Sequence, residues 1–296
     1  MPESAERVAE SFDAAKEENA LDRYRTGQVV TLPPDSEVWF PGDIHDHRTN
    51  FRKLIEAADL AAHPHRHLIL HELIHGEHID ENGAEDSWRM LFQAAELKLD
   101  FPDQVHFIFA NHDLAQIHGD GIAKGGADVC RAFNKGIKRD FAGHDMIVTL
   151  AITEFLLSIP LAVRCPNGLW FSHSLPTDDW IANFDYSVFD RSPLTNADYK
   201  RLTGPVYQLI WGRKFTPLGV KMFADNVGAN LIVTGHQPQE SGFATVGEQS
   251  LIVDSSHNGG VFLTASTSDP YDIEGLTGRL RELAYLGWEE EADETA

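Results

Sequence analysis

Cysteine is scarce: Cys130 and Cys165 are the only two in 296 residues. Two thiols in a chain this long make no disulfide framework, so a reducing, cytoplasmic compartment is expected. Positive charge is also short, with 24 Lys and Arg against 46 Asp and Glu, a formal net charge of -22. Such an acidic chain suits neither a nucleic-acid backbone nor an anionic membrane, and neither is expected as a partner. A small phosphate ligand stays open, because metal ions reverse the field locally. No apolar run approaches the roughly 20 residues of a membrane span. Residues 1–19 have no basic start and no apolar stretch, so no signal peptide is expected. Neither an internal repeat nor a clear linker divides the chain, which reads as one main domain. The oligomeric state leaves no mark in the sequence.

What the chain does have is histidine, fifteen in all. Most histidines are structural, so position matters more than number. Residues 3 to about 25 read as a charged helix outside the main domain. The expected division is an N-terminal helical extension over 1–29, a main domain over 30–288 and an acidic disordered tail over 289–296. Residues 37–40, 68–70 and 105–110 are short apolar runs of strand type. Between them, residues 51–60 and 88–99 repeat apolar residues with a helical period. That order predicts βαβ units and an α/β fold with a parallel sheet. Beyond it, residues 119–141 suggest a helical insertion, 148–157 and 217–226 helices, and 161–164 with 169–171 a hairpin about Pro166-Asn167-Gly168. Residues 231–234, 251–254 and 261–264 close the domain as strands.

Chemistry-bearing residues stand at the exits of these strands, where open α/β sheets place their sites. Gly42-Asp43-Ile44-His45 follows the first strand, and Asn111-His112-Asp113 follows the third. Ser172-His173 and Gly235-His236 end two later ones. Asp43 and His45 are two apart, which puts both side chains on one side of an extended segment. Carboxylate with imidazole suits Mn, Fe or Zn. Taken singly, each motif has a bland reading: a capping Asp, a turn Asn, a structural His. Together, at equivalent strand ends, they point to one site for two metal ions.

In this order the motifs resemble the calcineurin-like metallophosphoesterases, closest to the serine/threonine protein phosphatase branch and the bis-nucleoside tetraphosphatases. The resemblance spans about residues 38–263 and implies a four-layer fold, two central mixed β-sheets flanked by helices. Residues 155–162 and Leu209-Ile210-Trp211 also stand where that branch has similar segments. It implies two divalent or trivalent ions of Mn, Fe or Zn. Asp43, His45 and Glu72 would hold the first; Glu72, Asn111, His173 and His236 would hold the second. A hydroxide between the ions would attack phosphorus in line, and His112 would protonate the leaving group.

The second motif departs from the family's Gly-Asp-x-x-Asp-Arg-Gly. Here His71-Glu72-Leu73-Ile74-His75-Gly76 aligns with it. Glu72 would replace the bridging Asp and is one methylene longer. His75 would replace the Asp that orients the acid histidine, and the Arg is gone. Aligning Gly76-Glu77-His78-Ile79-Asp80 instead keeps the Asp but moves it past the strand end. Glu72 is preferred, at the same height as Asp43 and Asn111. For substrate phosphate, Arg213 is the leading cation and Arg48 the next. His47 and His257 are candidates for supporting contacts, and His63, His65 and His67 read as solvated.

His71 to His75 also match HExxH, a zinc-protease pattern that works only on a helix. Here it follows a strand, precedes Gly76 and Gly83, and has Glu77 and Glu81 where an apolar residue and a third ligand belong. The expected function is therefore phosphoester hydrolysis, a phosphomonoesterase of the protein phosphatase type acting on a phosphoprotein or small phosphoester. The alternatives are a dinucleoside polyphosphate hydrolase, a metal-binding protein without catalysis and, weakest, the protease.

Overall fold

A computed structural model describes residues 3–119, 123–124 and 127–286. The predicted tail over 289–296 lies outside the described residues. The strands are β1 (Arg25–Thr26), β2 (Val29–Thr31), β3 (Glu37–Phe40), β4 (Arg66–Leu70), β5 (Val105–Phe107), β6 (Ala123–Lys124), β7 (Ala127–Asp128), β8 (Ala162–Arg164), β9 (Leu169–Ser172), β10 (Leu231–Thr234), β11 (Phe243–Val246), β12 (Ser250–Val253), β13 (Val261–Ser266) and β14 (Leu280–Glu282). The helices are α1 (Ala5–Leu21), α2 (Arg48–Ala58), α3 (Trp88–Asp100), α4 (Asn111–His118), α5 (Val129–Asp140), α6 (Asp145–Ser158), α7 (Asp178–Ile181), α8 (Pro205–Trp211), α9 (Pro217–Val227) and α10 (Ile273–Thr277).

Strands β3, β4 and β5 pair in parallel, as the βαβ order predicts. Antiparallel β13 on β3 makes that five-stranded sheet mixed. The second sheet has seven strands in the order β1-β2-β8-β9-β10-β12-β11, with β9, β10 and β12 parallel. Strands β8 and β9 form the expected hairpin. Alternation along the strands builds two cores. Val38, Phe40 and Ile69 of one sheet meet Phe171, Val233 and Val253 of the other in an apolar layer, where the Phe40 and Phe171 rings lie 5.2 Å apart. The opposite faces, with Trp39, Leu68, Phe107, Trp170 and Ile232, are covered by helices. The result is four layers, helix, sheet, sheet and helix. Among the described residues no helix is long and apolar enough to cross a membrane.

Two expectations need correction. The N-terminal helix is not outside the domain. Val8, Phe12 and Ala15 form one buried stripe of α1, and the Phe12 ring lies 6.1 Å from Phe92 and 5.4 Å from Phe155. The charged residues of α1 occupy its other faces, which is why composition suggested a detached segment. Nor is His67 solvated: β4 starts at Arg66, so His67 is inside the sheet and buried, while His63 and His65 are exposed. His106 donates from Nδ1 to Asp22 Oδ2 at 3.0 Å, and its Nε2 accepts from His67 Nδ1 at 3.0 Å. Asp22 follows α1 directly, so the chain of bonds ties that helix to the sheet. Burial opposes the charge of Asp22, yet the His106 hydrogen bond holds its pKa down at about 2. Burial, with His106 alongside, lowers His67 to about 3.

Replacing Phe12 by Ala should cost about 3–5 kcal/mol, read from denaturant unfolding; no change would mean that α1 is an appendage. A second expectation concerns acid. His67 has a folded pKa of about 3 against an ordinary 6.5, so between those values the unfolded chain binds a proton that the folded chain refuses. Its contribution is complete above 6.5 and is lost, at roughly 1.4 kcal/mol per pH unit, as pH falls toward 3. Melting temperatures of His67→Gln measured across this window should fall less steeply than those of the unaltered chain.

Candidate metal centre

The predicted ligands come from both sheets and meet at the shared C-terminal edge of their parallel strands. Strand β3 ends at Pro41-Gly42. Gly42 has φ +70°, and a Cβ there would lie 1.9 Å from the Val253 carbonyl oxygen, so only glycine lets the chain pass β12 and deliver Asp43. The turn after it is bonded to the turn after β4: Glu72 O accepts from the backbone of Ile44 at 3.3 Å and of His45 at 2.7 Å, and Leu73 O accepts from Asp46 at 3.0 Å. Past β5 the chain enters α4, whose first residue is Asn111 and whose start is capped by Asp113 accepting from the Ala110 N–H at 2.9 Å. His173 and His236 leave β9 and β10, and the Gly235 N–H donates to His173 O at 3.1 Å. His45, Asp46, Glu72, His75 and His236 all have positive φ. Left-handed backbone at non-glycine residues is uncommon and concentrates where a site imposes it.

The donor atoms converge closely. His173 Nε2 lies 2.7 Å from Asn111 Oδ1, 2.9 Å from His236 Nδ1 and 3.0 Å from Glu72 Oε2. His236 Nδ1 is 3.0 Å from Asn111 Oδ1. One proton on His173 Nε2 satisfies only one such contact, whereas a cation satisfies all of them. Neighbouring donors around an octahedral ion bound at about 2.1 Å lie roughly 3 Å apart, which these spacings match. Nearby, His45 Nε2 is 3.9 Å from Asp43 Oδ2, and His45 Nδ1 is turned away, donating to Ile74 O at 3.1 Å. Glu72 groups with His173 and His236 on one side and with His45 and His112 on the other. Buried His173 Nδ1 and His236 Nε2 have no hydrogen-bond partner. Burial, then the neighbouring His236, keeps His173 neutral well below its ordinary pKa. Burial and Arg213 lower His236 to about 3. Burial opposes ionisation of Asp43, but the hydrogen bond and charge of His71 outweigh it and hold its pKa far below the carboxylate range. Neutral imidazoles beside the ionised Asp43 carboxylate are a donor set that a divalent ion takes.

His112 lies beside this group, its ring centroid 4.8 Å from that of His45. Its Nδ1 is 2.9 Å from His75 Nδ1. Gln116 donates through Nε2 to Asn134 at 2.8 Å, which turns its Oε1 toward His75 Nε2 at 3.1 Å. His75 therefore carries its proton on Nε2, and its Nδ1 accepts from His112. Arg213 lines the same cleft of about 770 Å³, together with Glu77, Glu240, Gln239 and His257. Arg48 does not. It pairs with Asp46 at 3.0 Å and with Asp86, and both carboxylates raise its pKa. His47 caps α2 and contacts Asn258 at 3.1 Å; His257 donates to Gln239 O at 2.8 Å.

His71–His75 is not helical, with φ +49° at Glu72 and +65° at His75, so the protease geometry is absent. Asp80, the alternative second-motif carboxylate, sits instead in a turn paired to Arg139 at 2.7 Å. Sequence reasoning missed three contributors. Gln116 and Asn134 are ordinary helix residues with no motif. His71 was visible only as part of HExxH, yet its Nε2 is 2.8 Å from Asp43 Oδ1.

The sequence profile of the calcineurin-like phosphoesterases matches residues 37–240, well over half of the chain. The chain belongs to that family and is a metallophosphoesterase, a hydrolase of phosphoric esters. Characterised protein sequences gave no significant match. Among solved structures it is similar to a Saccharomyces cerevisiae protein serine/threonine phosphatase described as similar to human phosphatase PP5. That match has a TM-score of 0.68 and 15% identity, covering 96% of this chain and 94% of the other. A cold-active protein-tyrosine phosphatase of a psychrophilic Shewanella species matches at TM-score 0.55 and 17% identity, covering 86% and 82%. At these identities the likeness is one of fold.

A Cβ on Gly235 would lie 2.2 Å from Asp43 Oδ1 and 2.6 Å from His71 Nε2. Gly235→Ala should therefore displace the Asp43 carboxylate and reduce bound Mn²⁺ in equilibrium dialysis, with the far-UV circular dichroism unchanged.

Proposed function

We propose that this chain is a phosphomonoesterase of the protein phosphatase type with a dinuclear metal centre. The observation that carries the reading is that Glu72 belongs to two of the three candidate ligand groups, with His45 and His112 in one and with His173 and His236 in the other; the third is Asp43, His71 and His173. Asp43, His45 and Glu72 would hold one ion, and Glu72, Asn111, His173 and His236 the other, with Mn, Fe or Zn suited to these donors. Bound ions of this kind acidify water and polarise phosphoryl oxygens. The protein's own groups supply the rest. His112 would donate its Nδ1–H to His75 as a hydrogen bond and, as the doubly protonated imidazolium, would carry on Nε2 the proton for the leaving oxygen, ending as the neutral ring with its proton on Nδ1. Arg213, on the cleft wall, meets a phosphate oxygen.

The substrate is a phosphorylated protein side chain. Both structural neighbours are named protein phosphatases, one for serine/threonine and one for tyrosine. A dinucleoside polyphosphate carries several negative charges, whereas the cleft offers Arg213 against Glu77 and Glu240 among the described residues. The cytoplasm is the proposed compartment, because two cysteines in 296 residues make no disulfide framework.

Asp43→Asn should abolish Mn²⁺-dependent hydrolysis of an aryl phosphate while the fold persists; unchanged turnover would sink the assignment. Metal analysis of the active protein should find two ions per chain, and a single tight ion would mean that Glu72 does not bridge. In the same assay, a phosphopeptide should be turned over faster than a dinucleoside tetraphosphate.

A further inference from the structure

The geometry points to His71 as a positioning residue that clamps the Asp43 carboxylate and so sets metal affinity, an inference that rests on the metal-centre reading above. His71 Nε2 lies 2.8 Å from Asp43 Oδ1, and the same oxygen accepts the His236 backbone N–H at 2.8 Å. Oδ1 is thus held by two donors, while Oδ2 faces His45 Nε2 at 3.9 Å. The two oxygens divide their work: one is anchored in protein, and the other would be left to hold an ion.

The clamp is itself fixed. The His71 side chain is fully buried. Its ring packs 5.1 Å from that of Phe40 and meets His173 edge-on at 5.2 Å. Gly235 leaves no space beside the bond, since a Cβ there would strike both partners. His71 Nδ1 is buried without a hydrogen-bond partner, so the single proton of the neutral ring belongs on Nε2, where Asp43 accepts it. A protonated Nε2 offers no lone pair through that nitrogen. Although His71 stands with Asp43 and His173 in a group that could hold an ion, its Nε2 acts through Asp43 as a donor rather than as a ligand. The protein phosphatase pattern has glycine at this place, before the bridging acid, and cannot supply this donor. An outer partner that fixes a ligating group typically changes metal affinity by about 10–100-fold.

The test uses the full chain, stripped of metal and titrated with Mn²⁺ by calorimetry, with pulsed EPR counting the nitrogens coupled to Mn²⁺. His71→Ala should weaken Mn²⁺ binding by about 10–100-fold. His71→Gln, whose amide still donates, should recover most of it. The nitrogen count should be the same in all three proteins. Unchanged affinity in His71→Ala would overturn the clamp, as would loss of one coupled nitrogen in either variant, which would make His71 a ligand. If His71→Ala does not fold, His71→Gln decides alone: near-normal affinity with an unchanged count supports the clamp, and lost affinity or a lost nitrogen overturns it. Failure of the unaltered chain to bind Mn²⁺ would remove the metal-centre reading itself, and the clamp with it.

Discussion

The carboxylate of Asp43 is where the two sheets are tied together at the site. Its Oδ1 accepts from His71, beyond β4, and from the backbone of His236, beyond β10. Its backbone oxygen accepts from the N–H and the hydroxyl of Ser255, between β12 and β13. A buried ionised carboxylate is tolerated only when paired and hydrogen-bonded. The surrounding chain is shaped to meet that condition. Gly42 lets β3 pass close to β12, and Gly235 keeps β10 clear of the carboxylate. If Asp43 moves, the orientation of His45 Nε2 against it and the approach of the β10 turn are lost together.

Strand ends explain how so many polar groups reach one buried place. Each parallel strand carries its side chains alternately into an apolar layer until its last residue, and the polar residue then stands just beyond. Extended backbone alone would send neighbouring side chains to opposite faces. Left-handed turns at His45, Glu72 and His236 redirect them. Glu72 has one methylene more than the Asp of the family pattern, and its φ of +49° accompanies that longer reach. The strain of such residues is of order 1–3 kcal/mol each, which the hydrogen bonds between adjoining turns offset.

The altered second motif is held by residues outside it. His75 stands where the family pattern has a carboxylate, and its tautomer is set by Gln116 on α4 and Asn134 on α5. A neutral imidazole accepts a weaker hydrogen bond than a carboxylate does, and the His75 Nδ1 to His112 Nδ1 contact is of that weaker kind. The missing arginine has no replacement from Arg48, which Asp46 and Asp86 hold elsewhere. Arg213 reaches the cleft from beyond α8. Among the described residues that line the cleft, Arg213 is the one Lys or Arg, beside Glu77 and Glu240.

Asp43, His45, Asn111, His173 and His236 were legible because strand alternation and strand exits are local properties of sequence. The order of elements and the mixed parallel core followed for the same reason. The burial of α1 was not legible: its apolar stripe is only Val8, Phe12 and Ala15 among many charges, and what it packs on lies far away in sequence. His67 was misread because β4 starts two residues before the expected strand, which is enough to move a side chain from solvent to core. Composition and spacing thus determined the α/β class and which residues could be ligands. Only the tertiary structure decided that Glu72 is shared by two candidate ligand groups, that His71 donates to Asp43, and that Gln116 sets His75. Those facts depend on atoms within about 3 Å of each other across different strands and helices, a distance set by sheet pairing and packing rather than by position along the chain.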